Sequence, residues 1–177
     1  MILAGHQPEY LPYIGFFNKF FLADKIVIVD HVQFTKKNFQ NRNKIKTPQG
    51  SLWLTIPVKT SGKYNQSISD VEVSDSIDFR KKHLNSISFN YQKSEYFENF
   101  YPFFEKLYSG DESKLIDINM KIITYIFSLL DIKKPINFSS DLNIEGKKTD
   151  LLIELCQKLD CNSYLSGEGA LNYIDEN

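Results

Sequence analysis

The chain has 177 residues, 42% of them hydrophobic, enough for one domain with a real core. Its 21 basic and 22 acidic residues leave a formal charge of −1, which argues against generic nucleic-acid binding, since that needs a clearly basic surface. The opening residues lack a basic segment followed by an apolar one, and Lys19 and Asp24 interrupt the apolar runs; neither a signal peptide nor a membrane span is predicted, and the expected location is the cytoplasm.

Residues 1–4 are apolar and meet Gly5, which reads as a buried first strand. HQPEYLPYIGFF follows, with Pro12 suited to a first helical turn, where its missing N–H costs nothing. Ile14, Phe17, Phe20 and Phe21 then recur at helical spacing up to about residue 23, and Gly15 among them suggests a close backbone approach. Residues 25–30, KIVIVD, are β-branched without polar alternation, as in a strand covered on both faces. Strand, helix and strand in succession make a βαβ unit, and hence a parallel sheet.

Residues 44–47 and 51–58 read as the arms of a hairpin turned at Pro48, Gln49 and Gly50. A Gly/Ser/Lys loop, 59–66, leads to a short strand over 67–73. Helices are predicted over 77–91, capped by Asp75 or Ser76, over 96–108 and over 115–130, the last with Ile118, Ile122, Ile126 and Leu129 in phase. A short strand at 136–139, an amphipathic helix at 149–159 with Leu151, Leu152, Leu155 and Leu159 inward, and a strand at 162–165 complete the pattern. The expected fold is a single α/β domain, 1–177, with a parallel-sheet core, a β-hairpin and an inserted helical cluster over 77–130.

Three groups of residues carry chemistry. His6, Gln7 and Glu9 follow the first strand, at the edge where ligands bind in open parallel sheets. There His6 suits a proton shuttle or the stabilisation of developing negative charge, and the helix starting near Pro12 points N–H groups at an anion. The alternative is that His6 and Gln7 simply cap the strand end. Asp30 ends the second strand beside His31 and reads as a catalytic group, with a metal or ribose contact as its other role. Beyond it lie Gln33, Lys36, Lys37, Asn41, Arg42 and Asn43; Lys36, Lys37, Arg42, Lys44 and Lys46 place five cations in eleven residues. Arginine forks and lysine charges suit phosphate, and the amides suit hydroxyls and ring nitrogens. A solvated hairpin flank or an RNA-binding patch has the same composition. Tyr10, Tyr13 and Phe34 sit in polar surroundings where rings line pockets. Finally, Ser166, Gly167, Glu168 and Gly169 form a Gly-rich turn after a strand, without the ending of a P-loop; a plain strand-to-helix turn is the alternative.

The three histidines and two cysteines show neither HExxH nor CxxC, so no metal is expected; Cys156 and Cys161 read as reduced thiols. No GxSxG elbow is present.

The stretch from Gly5 to Val58 closely resembles the opening of the WbqC-like family, through HQPEYLP, GFF, D-VQF, QNRNKI and LTIPV, and YLSGEGALNYID is a further echo near the end. The resemblance implies a role in making or decorating an activated sugar for O-antigen and other surface polysaccharides. It also implies that members continue past the YLSG motif with an aromatic-rich segment, so that a chain ending at Asn177 is a short member. At the level of fold the plan is similar to the HIGH-type (HUP-like) nucleotidyltransferases, although the second histidine of that pattern is absent and Tyr10 stands nearby.

The expectation is a transferase acting on a nucleotide or nucleotide-activated amino sugar, by adenylyl or acyl transfer, with ATP or a nucleotide sugar as the small anionic ligand. His6 with Asp30, the Lys36–Lys46 loop and the Gly-rich turn would converge on it. The alternative is a non-catalytic binding or scaffold protein in glycan assembly. A homo-oligomer is left open.

Overall fold

The computed structural model describes residues 1–167. The chain divides into two compact units. The first comprises residues 1–8, 12–32 and 123 onward; the second comprises 9–11 and 33–122.

The first unit is built on a parallel sheet of β1 (Ile2–His6), β2 (Lys25–Ile28), β5 (Ile136–Phe138) and β6 (Ser163–Tyr164), in the order β5-β2-β1-β6. The βαβ expectation holds: α1 (Ile14–Leu22) connects β1 to β2. Ile26, Val27 and Ile28 are fully buried, as a strand covered on both faces requires. Leu3 and Val27 pack with Leu155 of α5 (Thr149–Lys158), while His6, of opposite parity to Leu3, meets Phe16 of α1. Side chains alternate along a strand, so the two helices cover opposite faces.

Two features of α1 depart from the sequence reading. The helix starts at Ile14 with Tyr13 as its N-cap, so Pro12 lies outside it. Its inward face is Phe16, Phe17 and Phe20, whereas Ile14 and Phe21 are exposed. Phe16 makes edge contacts with Phe17 and Phe20, and Phe20 with Phe127; this aromatic stack sets the helix phase. Gly5, in β1, is a true close approach. A Cβ there would lie 2.6 Å from Tyr164 Oη and 2.9 Å from Val27 Cγ1.

The second unit contains the hairpin of β3 (Arg42–Thr47) and β4 (Gly50–Thr55), then α2 (Phe79–Tyr91), α3 (Phe97–Tyr108) and the start of α4 (Leu115–Leu129). Gly50, at the hairpin turn, has a φ of 115°, which only glycine adopts freely. The second arm ends at Thr55, short of the expected Val58. The expected strand at 67–73 is a turn of 3-10 helix, Ile68–Asp70. Ile68 and Val71 are both fully buried, and a three-residue spacing brings them to one side in that geometry. Asp78 caps α2 by accepting from Lys81 N at 3.1 Å, in place of Asp75 or Ser76. Glu112 is gripped by Arg80 and Lys121, and Arg80 also donates to the Glu112 carbonyl at 2.8 Å.

Residues 9–11 are anchored in this unit. Tyr10 N donates to the Phe39 carbonyl at 2.9 Å, and Asn43 Nδ2 donates to the Leu11 carbonyl at 2.7 Å. Leu11 is thereby held at a φ of 49°, a left-handed conformation that costs a non-glycine residue about 1 kcal/mol.

Candidate functional site

In the first unit β1, β2 and β5 end together, β6 stops earlier, opposite Leu3, and the residues following the strands share one edge. His6 closes β1. Its Nδ1 lies 2.9 Å from the Gln7 carbonyl, which can only accept, so Nδ1 carries the proton and Nε2 is the acceptor nitrogen of a neutral ring. Burial, aided by the positive charge of Lys19, lowers its pKa to about 4. Near neutral pH the ring is uncharged and weakly basic.

Asp30, just past β2, is 2% exposed and fully engaged. Ser139 Oγ donates to its Oδ1 at 3.0 Å, Ser140 N to the same oxygen at 2.9 Å, and Ser140 Oγ to Oδ2 at 2.8 Å. The carboxylate clasps the end of β2 to the end of β5.

His31, which the sequence reading left in the background, is the group the clasp presents. Its Nδ1 is 2.6 Å from Ser139 Oγ. With the Ser139 hydroxyl proton on Asp30 and one lone pair taken by the Asp30 backbone N–H at 3.0 Å, the remaining lone pair accepts from His31 Nδ1. The result is a chain, His31 to Ser139 to Asp30, that fixes the ring with Nε2 as its acceptor. Burial lowers the His31 pKa, against the raising effect of the Asp30 and Glu154 charges. Glu154 is itself held low by the backbone N–H groups of Gly146 and Glu145, at 2.9 and 3.1 Å. The adjacent Asp30-His31 pair was visible in sequence, but its link to Ser139 spans more than a hundred residues.

Among the other expected residues of this edge, half-buried Gln7 supplies the carbonyl that orients His6. Tyr13 is 62% exposed, and its ring lies where a Cβ on Gly15 would stand. Ser166, half-buried, and Gly167, exposed, follow β6. Glu168 and Gly169 lie outside the described residues.

The remaining expected residues belong to the second unit. Tyr10 is fully buried, its hydroxyl bonded to His83 Nδ1 at 2.8 Å and to the Tyr108 hydroxyl. Asn41 is also buried and donates to the Ile56 carbonyl at 2.9 Å. Asn43 is spent on the carbonyls of Leu11 and Tyr10. Both asparagines fasten the hairpin base. Gln33 donates to the Tyr64 carbonyl at 2.9 Å, and Lys36 and Lys37 are exposed in a turn. The Arg42 guanidinium lies 4.2 Å from the centre of the Trp53 ring. A groove of about 890 Å³ in this unit, bordered by Leu52, Lys81, Lys82, Asn85 and Phe89, contains none of the residues expected from sequence.

A sequence model of the WbqC-like protein family matches residues 7–177. The chain belongs to the WbqC-like protein family. This WbqC-like chain is 33% identical over 171 residues to the uncharacterized protein Rv1507c of Mycobacterium tuberculosis (strain ATCC 25618 / H37Rv), covering 96% of the chain and 74% of that relative. No solved structure matches it. Among the described residues of the WbqC-like chain, no group of three or more His, Cys, Asp or Glu side chains could hold a metal ion. No described helix is long and apolar enough to cross a membrane.

Proposed function

We propose that this WbqC-like chain is a transferase acting on a nucleotide or nucleotide-activated amino sugar, in surface polysaccharide biosynthesis. The observation that carries the reading is the His31–Ser139–Asp30 chain, which orients an imidazole at the C-terminal edge of a parallel sheet. In adenylyl or acyl transfer, His31 Nε2 takes the proton of the attacking amine or hydroxyl as the new bond to phosphorus or carbon forms. The leaving group departs with the electrons of the broken bond, and the imidazolium is steadied through Ser139 by the Asp30 carboxylate. The first turn of α1 has no acidic residue and no side-chain cap, which leaves N–H groups for a phosphate.

The test is ligand-dependent melting followed by turnover. ATP, a UDP-sugar or a dTDP-sugar raises the melting temperature, and His31→Ala abolishes transfer to an amino sugar while the fold survives. Unchanged melting with every nucleotide at millimolar concentration refutes the reading. A second reading, a non-catalytic binding or scaffold protein in glycan assembly, draws support from Asp30, whose two oxygens are already satisfied within the fold. Nucleotide-sugar binding without turnover for any acceptor selects it.

A further inference from the structure

We propose that the solvent face of the β3–β4 hairpin is a binding site for a small anion bearing a nucleobase, such as a nucleoside diphosphate. The register pairs Arg42 with Thr55, Lys44 with Trp53 and Lys46 with Ser51, and alternation puts all six side chains on one face. Ile45 and Leu54, of opposite parity, are buried beneath. The face therefore presents three cations beside a large ring. Trp53 is 38% exposed, and Phe39, 47% exposed, has its centroid 6.1 Å from that of Trp53. Arg42 Cζ and Lys44 Nζ lie over the Trp53 ring at 4.2 and 4.9 Å.

Folding leaves these groups unspent. Among the described residues, ion pairs engage Lys59, Lys63, Arg80, Lys121 and Lys133, but none engages Arg42, Lys44 or Lys46. Arg42 Nε is buried without a hydrogen-bond partner, so the guanidinium is partly stripped of water and has no counter-charge. Such a cation attracts a phosphate more strongly than a fully hydrated one does. A base supplies the complementary flat surface. It takes the place of the exposed Lys44 ammonium on the ring, because base–aromatic stacking is stronger than an exposed lysine–ring contact. The displaced Lys44, with Lys46, then meets the phosphate. A polynucleotide is the poorer occupant: the chain as a whole carries a charge of −1, and only two rings are offered. The proposal stands on the hairpin alone and does not rest on transferase activity.

Trp53 is the sole tryptophan of the chain, so intrinsic fluorescence reports directly on this face. UDP and ATP are expected to quench it saturably at submillimolar concentration, while ribose 5-phosphate and inorganic phosphate at matched ionic strength do not. Phe39→Ala and Arg42→Ala each raise the half-saturation concentration about tenfold, with unchanged melting temperature in the absence of nucleotide. No saturable quenching, or equal quenching by ribose 5-phosphate, overturns the proposal. So does far tighter, steeply salt-dependent binding of a single-stranded oligonucleotide, which would make the face a nucleic-acid surface. Nucleotides that raise the melting temperature without quenching Trp53 are held elsewhere; that outcome removes this site and leaves the transferase reading standing.

Discussion

The Ser139 hydroxyl organises the sheet edge. It gives its proton to Asp30 and receives that of His31, so two residues of β2's end are tied to the end of β5. Ser139→Ala removes these contacts, and with them the acceptor of the Asp30 and His31 backbone N–H groups, at a fully buried position. The expected cost is about 1–3 kcal/mol, because a buried carboxylate loses a donor and keeps only those of Ser140. The His31 ring should also lose its fixed tautomer. Urea unfolding measures the first effect and nitrogen NMR of the ring the second. Ring nitrogens that are unmoved by the substitution would show that Ser139 does not orient His31. Asp30 illustrates a limit of reading residues singly: a carboxylate at a strand end has the same letter whether it faces a substrate or two serines.

At the scale of elements, α1 depends on a distant lysine. Lys134 Nζ donates to the carbonyls of Phe20 and Phe21, at 3.0 and 2.6 Å, and to that of Ala23. These are end-of-helix acceptors that no later N–H satisfies, and the charge also suits the helix C-terminus. Lys134→Met keeps the stem and removes the donors; a loss of about 1–2 kcal/mol is expected by chemical denaturation. A loss below a few tenths would mean that water replaces the lysine at no cost. Most elements were legible because their signal is local. KIVI, the Pro-Gln-Gly turn and the spacing of Ile118 and Ile122 each declare a period or a turn within a few residues. The misread segments had ambiguous periods. Ile68 and Val71 fit a poor strand as well as a tight helical turn, and four phenylalanines in eight residues allow α1 more than one buried face.

At the scale of the whole molecule, each unit buries a histidine. His6 lies in the first unit and His83 in the second, and burial lowers both to about 4. The unfolded chain binds these protons from about pH 6.5 downward, whereas the folded chain refuses them until about pH 4. Stability therefore falls on acidification through that window, by roughly 1 kcal/mol per pH unit for each ring, and is indifferent to these rings above it. Melting temperature followed from neutral pH to about pH 5 checks this; a flat profile would show that neither ring stays neutral in the fold. The sequence by itself determined the α/β class, the parallel pairing of the first two strands, the hairpin and the family, since each follows from local periodicity or from ordered motifs. Only the tertiary structure decided which polar residues of those motifs remain available. Tyr10, Asn41, Asn43 and Asp30 bond partners far along the chain, and Arg42 lies over the Trp53 ring across the hairpin. A side chain's partners depend on which segments meet in space, and that information is not carried by the residues beside it.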